Sequence, residues 1–191
     1  MKRLAATIPA LVLILAGCST ADTSDEQSVE GAEGEFLAAH GLDGMEVPEM
    51  IDHLDRLGGQ ERPTSYMASI RSEELLFSDG EQDLALDMPD DLFYLSVAPY
   101  VNQTHDCYYH SLTTCQGELT GQDIQVRILD QASGEELVND EVTTFDNGFA
   151  GFWLPRDVEG TIEITYDGLT GTSDFSTADD GATCLTDLRL A

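Results

Sequence analysis

The chain has 191 residues, 37 of them Asp or Glu against 8 Lys or Arg, for a formal net charge of −29. So one-sided a charge excludes nucleic acid and anionic lipid surfaces as electrostatic partners, and it keeps the chain soluble in salty surroundings. The length allows one core of ordinary size, with at most a small appendage.

The first residues read as an export signal. Met1-Lys2-Arg3 is a basic start, Leu4 to Leu15 is an apolar run too short to span a bilayer, and LAGC, Leu15 to Cys18, follows at once. LAGC resembles the lipobox of bacterial lipoproteins, in which the Cys becomes the first residue of the mature chain and carries the lipid. Residues 1–17 are therefore expected to be a lipoprotein signal peptide and Cys18 the lipidated residue. Removing residues 1–17 takes away two positive charges and moves the formal charge from −29 to −31, leaving six Arg and no Lys. Residues 18–34 are small and acidic with few bulky apolar side chains, so they are expected to form a flexible tether.

Residues 35–62 read as helical. EGEFLAAHG is a short amphipathic stretch ending at Gly41, and in VPEMIDHLDRLGG the apolar Val47, Met50, Ile51, Leu54 and Leu57 recur at helical spacing. Pro48 stands near the start, and Gly58-Gly59 stops the helix. His40 and His53 fall in these helices and are read as ordinary helix residues.

From Tyr66 the period becomes two. YMASI, EELLF, QDLAL, DLFYLSV, DIQVRIL, GFAGFWL, TIEITY and CLTDLRL are strand-length runs separated by turn signals at SDG, MPDD, SGEE, DNG and YDG. Ile124, Val126 and Ile128 alternate with Gln125 and Arg127, the pattern of a half-buried strand. The fold class is thus mainly β within α+β: an antiparallel β-sandwich or barrel-like domain over residues 63–191, preceded by the small helical region.

No P-loop, GxGxxG, HExxH or GxSxG motif is present, so nothing marks a nucleotide enzyme or a serine hydrolase. The acidic run from Asp79 to Asp83 is not an EF-hand loop, because its required glycine would fall at Leu84.

Chemistry concentrates instead in HDCYYHSLTTCQGEL, His105 to Leu119. With Cys18 committed to lipid, Cys107, Cys115 and Cys184 remain, an odd number in an exported chain. Counting alone leaves open a Cys107–Cys115 disulfide with Cys184 left over, or a metal site. Along a strand the two thiols would stand about 26 Å apart, and along a helix about 12 Å, so sharing any partner requires the chain to fold back within YYHSLTT. That stretch has no Gly, Pro or Asn to ease the turn. Cys184 opens the last strand-like run, where it shares a face with Leu188 and Leu190 and points inward. Three thiolates, with an imidazole from His105 or His110, suit Cu(I) and would also suit Zn(II) as Cys₃His. The two histidines are auxiliary candidates, equally suited to ligation or to supporting a ligand.

The segment FYLSVAPYVNQTHDCYYHSLTTCQGEL, Phe93 to Leu119, resembles the CueP family of exported bacterial copper-binding proteins, and Cys184 near the C-terminus fits the same pattern. The likeness extends from about Glu35 to the end. In that family three cysteines bind copper; they match Cys107 in the HDC element, Cys115 in the TTC element and Cys184. The resemblance implies copper tolerance and handling in the cell envelope, reduction of Cu(II) to Cu(I) as a proposed part of the activity, a helical N-terminal part, a β-rich domain and a dimer. The combined reading is a membrane-tethered copper-binding lipoprotein. Its partners are copper ions, an exported copper-accepting protein, a thiol reductant and a second copy of the chain. Three alternatives come from other classes: a thiol redox enzyme, which would normally carry a CxxC that is absent here; a structural zinc module; and a plain β-sandwich interaction lipoprotein.

Overall fold

The computed structural model describes the backbone of residues 23–191 and the side chains of residues 31–191. The export signal and Cys18 lie outside the described residues. The chain divides into two compact units, one ending at Asp43 and one spanning Gly44–Ala191.

The first unit holds a helix, α1, Thr23–Ala39. Residues 23–34, expected as tether, are helical here. Glu, Gln and Ala favour a helix and no Pro interrupts the stretch, while Ser, Thr, Gly31 and Gly34 weaken it. The helix ends where the sequence puts its stop. Gly41 takes φ +72°, Leu42 N–H donates to the Leu37 carbonyl at 2.8 Å, and Gly41 N–H to the Ala38 carbonyl at 3.3 Å. These are the paired bonds of a Schellman cap.

The second unit opens with α2, Val47–Asp55. Glu46 and Glu49 form a reciprocal capping box, and Pro48 sits in the first turn, where its missing N–H costs nothing. Met50, Ile51 and Leu54 are buried, and Asp55, four residues after Ile51, is buried with them. The change of period near residue 62 therefore marks a change of secondary structure; the unit boundary lies at Gly44, and α2 belongs with the strands.

Ten strands follow: β1 Met67–Ile70, β2 Glu74–Ser78, β3 Asp83–Asp87, β4 Leu92–Val97, β5 Asp123–Asp130, β6 Glu136–Thr143, β7 Ala150–Pro155, β8 Glu159–Tyr166, β9 Leu169–Ser176 and β10 Cys184–Leu185. They form three sheets, ordered β1-β2-β3, β10-β4-β7 and β6-β5-β8-β9. All pairings are antiparallel except β10 on β4, where Cys184 lies opposite Ser96 and Leu185 opposite Val97. The last two sheets share one core: Phe93, Leu95 and Val97 with Ala150, Phe152 and Leu154 from one side, Ile124, Val126 and Ile128 with Ile162 and Ile164 from the other. Each of these Val, Leu, Ile and Phe side chains contributes about 1.5–3 kcal/mol by leaving water, and their strict alternation fixes the register.

Two strands, β6 and β9, were not among the expected runs. β6 buries no side chain fully, and β9 alternates in burial but with Gly171 and Ser173 between Leu169 and Phe175 on its inner face, so neither shows a clean apolar alternation in sequence. Conversely, only the first two residues of CLTDLRL form a regular strand. Leu188 and Leu190 are still buried, as their spacing from Cys184 implied.

β4 is buried on both faces. Its odd residues fill the sandwich core, while Tyr94 and Ser96 face Asp55 of α2. The free edge of β1 is covered by the cysteine loop: Ile70 N–H donates to the His110 carbonyl at 2.8 Å and Leu112 N–H to the Ala68 carbonyl at 2.9 Å.

Candidate metal centre

The loop between β4 and β5 is closed at its base by Glu118. Its carboxylate accepts from the N–H groups of Val101 (2.8 Å), Asn102 (2.9 Å) and Gln103 (3.3 Å) and from the Asn102 side chain (2.8 Å). Those bonds, led by Asn102, hold the Glu118 carboxyl down at about 2. Next to it, Gly117 N–H donates to the Asn147 carbonyl at 2.7 Å. Gly117 lies backbone to backbone with Gly148, so closely that a Cβ on either would overlap the other.

The expected reversal within YYHSLTT is made without Gly, Pro or Asn. Cys115 N–H reaches back to the Ser111 carbonyl at 3.1 Å, and the Ser111 hydroxyl accepts from Thr114 N–H at 3.2 Å and the Thr114 hydroxyl at 2.7 Å. A serine side chain thus does what a turn glycine would otherwise do.

Folding back brings Cys107 Sγ within 3.4 Å of Cys115 Sγ. Cys107, Cys115 and Cys184 are all free thiols, so the disulfide left open by counting is not formed. Cys184 arrives from β10, with its N–H donating to the Tyr108 carbonyl at 3.1 Å. It is buried, and its sulfur lies 3.7 Å from His110 Nδ1. Three ligand atoms, one each from His105, Cys107 and Cys115, lie within 4.8 Å of one another, and so do three from His110, Cys115 and Cys184. Every candidate ligand named from the sequence thus falls in one cluster. His53 and His40 join neither set; the His40 ring packs on Phe36, 4.6 Å between centroids.

The site also uses a residue the sequence reading missed. Asp55 accepts from His110 Nε2 at 2.7 Å, from the Tyr94 hydroxyl at 2.7 Å, from the Ser96 hydroxyl at 3.2 Å and from Asn147 Nδ2 at 2.7 Å. Both Asp55 and His110 are fully buried. Burial opposes charge on Asp55, but the His110 charge and the converging donors outweigh it and leave its carboxyl below the ordinary range. Burial likewise works against the His110 imidazolium. The Asp55 charge and hydrogen bond, with Cys115 behind them, raise His110 to about 9. Phe149 packs against the imidazole, 4.5 Å between centroids.

Charge within the thiol cluster collects on one sulfur. Hydrogen bonds from Cys107 and Cys184, and behind them His110, hold Cys115 far below the usual thiol range despite burial. Ser111 N–H adds a contact at 3.4 Å. Hydrogen bonding to Cys115 pushes Cys107 up to about 12, and hydrogen bonding to Cys107 and then Cys115, with burial, raises Cys184 well above an ordinary thiol. Cys115 is therefore the sulfur whose surroundings most favour negative charge.

Soft sulfur donors with one imidazole, gathered in a half-dry pocket, match the preferences of a d¹⁰ ion. The imidazole–carboxylate pair is the usual support of a ligating histidine, fixing which nitrogen is free.

A family model described as periplasmic copper-binding protein CueP matches residues 49–189. Among solved structures, the crystal structure of S.CueP is similar at 46% sequence identity and a TM-score of 0.79, over 84% of this chain and 98% of that one. Among curated proteins none matches.

Proposed function

This chain belongs to the CueP family of periplasmic copper-binding proteins, and we propose that it holds Cu(I) through Cys107, Cys115 and Cys184 with imidazole from His110 and His105. The observation that carries this reading is the convergence on Cys115: Cys107 sulfur at 3.4 Å on one side, Cys184 and His110 on the other. Thiolate sulfur stabilises the reduced ion over Cu(II), which prefers nitrogen and oxygen in tetragonal geometry. The same thiols can supply electrons: two Cu(II) accept one electron each, two thiols lose their protons, and one disulfide forms. An outside thiol reductant then restores the site.

In the cell this chemistry serves copper tolerance, or delivery to an exported copper-accepting protein. The LAGC sequence supports a lipid anchor at Cys18, which would keep the protein at the membrane surface. A homodimer is part of the same proposal.

The test is anaerobic competition of the reduced full chain against a chromogenic Cu(I) chelator, with metal analysis of the protein as purified. One Cu(I) per chain is expected. A chain that purifies with zinc, unfolds on chelation and takes no Cu(I) is instead a structural zinc module.

A further inference from the structure

The two ligand sets share one atom and differ in depth. His105, Cys107 and Cys115 are all half-buried, whereas Cys184 and His110 are 2% and 0% exposed. Of the outer set, His105 lines a polar cleft of about 470 Å³ together with Gln103, Gln116 and Glu118, while Cys107 and Cys115 lie behind it. His105 Nε2 is buried without a hydrogen-bond partner. A buried nitrogen left unpaired is costly unless a ligand completes it. The inner set has its own anchoring, since His110 is fixed by Asp55 and Cys184 by the Tyr108 carbonyl.

We propose that Cu(I) occupies two overlapping three-ligand positions in turn: an outer one of His105, Cys107 and Cys115, entered past His105 at the cleft, and an inner one of His110, Cys115 and Cys184. Cys115 stays bound in both. Transfer is ligand exchange, with copper remaining Cu(I) and no electron moving. The thiol proton that Cys184 gives up is matched by one taken up at Cys107. His110 binds through Nδ1 as the neutral ring, any proton on Nδ1 passing to solvent, and keeps its Nε2–H on Asp55. A shared ligand means the ion is never free between positions, so each new donor acts at the high effective concentration of an intramolecular partner.

The inference rests on the Cu(I) reading of the cluster, and a double-mutant cycle separates the two. Cu(I) affinity is measured by chelator competition on reduced, anaerobic full chain. His105→Ala should cost about threefold in the wild-type chain, where the inner position still holds the ion. In a Cys184→Ser chain, where only the outer set remains, the same change should cost about thirtyfold or more, within the range of coupling between residues that act together. The reciprocal pair is His110→Ala with and without Cys107→Ser: the cost should be greater with it, because that chain has only the inner position. This pair decides if Cys184→Ser fails to fold by circular dichroism. Equal costs in both backgrounds, in chains that bind Cu(I), would overturn the two-position arrangement and leave a single copper site. A wild-type chain that takes no Cu(I) would overturn the copper reading itself.

Discussion

His110 Nε2 lies 2.7 Å from Asp55 Oδ1, and this one bond decides which imidazole nitrogen is left for the thiol cluster. With Nε2–H committed to the carboxylate, Nδ1 is the atom that faces Cys184. Asp55→Asn keeps the shape but allows an amide N–H to donate to Nε2, which moves the imidazole proton to Nδ1. Cu(I) affinity should fall about 10- to 100-fold, the usual scale for losing the support of a ligating histidine. Chelator competition measures the affinity, and nitrogen-15 chemical shifts of the ring report the tautomer. Unchanged shifts with lost affinity would mean that Asp55 acts only through folding.

The same pair sets a pH window for the metal-free protein. His110 is raised to about 9 from an ordinary 6.5, so its contribution is full below 6.5 and is lost as pH rises through about 9. Asp55 is lowered from 3.8, so its contribution is present above 3.8 and disappears as pH falls below it. The stability difference between wild type and His110→Gln, from urea unfolding under reducing conditions, should therefore be greatest between about pH 4 and 6.5 and shrink toward pH 9. A difference that grows on the alkaline side would contradict the pairing.

Gly151 supports the site from a distance. It lies opposite Ser96 on β7, and a Cβ there would overlap the Tyr94 hydroxyl that donates to Asp55. Gly151→Ala should displace the ring, break that bond and destabilise the fold by about 2–4 kcal/mol, from overpacking plus a lost buried partner. Urea denaturation checks this. The Cu(I) affinity of the folded fraction should fall as well, because Asp55 loses a donor.

Cys107 and Cys115 are close enough to be joined by oxidation. Diamide treatment of the metal-free protein should link them, seen by peptide mass spectrometry, and abolish Cu(I) binding until a reductant is added. Prior loading with Cu(I) should block the reaction. Equal oxidation with and without copper would place the ion elsewhere.

The anchor is testable without reference to the fold. Radiolabelled palmitate should enter the native chain and not Cys18→Ser, and equal labelling of both would remove the lipoprotein proposal.

The residues that showed their role in the sequence are those whose signal is local. Ile124, Val126 and Ile128 alternate along one strand, and the two cysteines and two histidines stand within one loop. Asp55 was hidden because it is one of 37 acids, and its role depends on β4 and on Asn147, distant in sequence. One signal was present: it follows Ile51 by four residues, which puts a carboxylate on the apolar face of α2. β6 and β9 were illegible for the opposite reason. Their apolar residues, Leu137, Val138 and Val142 in β6 and Leu169 and Phe175 in β9, are few and irregularly spaced among polar ones, and the strands are specified by their neighbours in the sheet, as pairing overrides weak propensity. The fold-back of YYHSLTT could be required from distance alone, but the Ser111 turn that makes it could not be foreseen from turn-residue statistics.

The ligand loop is also the cover on an open sheet edge, since His110 and Leu112 pair with Ile70 and Ala68 of β1. When that segment lifts, the edge of the β1-β2-β3 sheet faces water with its backbone donors and acceptors bare, and a bare edge is a template on which chains stack into aggregates. Damage at the thiols that pries the loop away therefore threatens more than cargo binding. It converts a chemical lesion into a colloidal one.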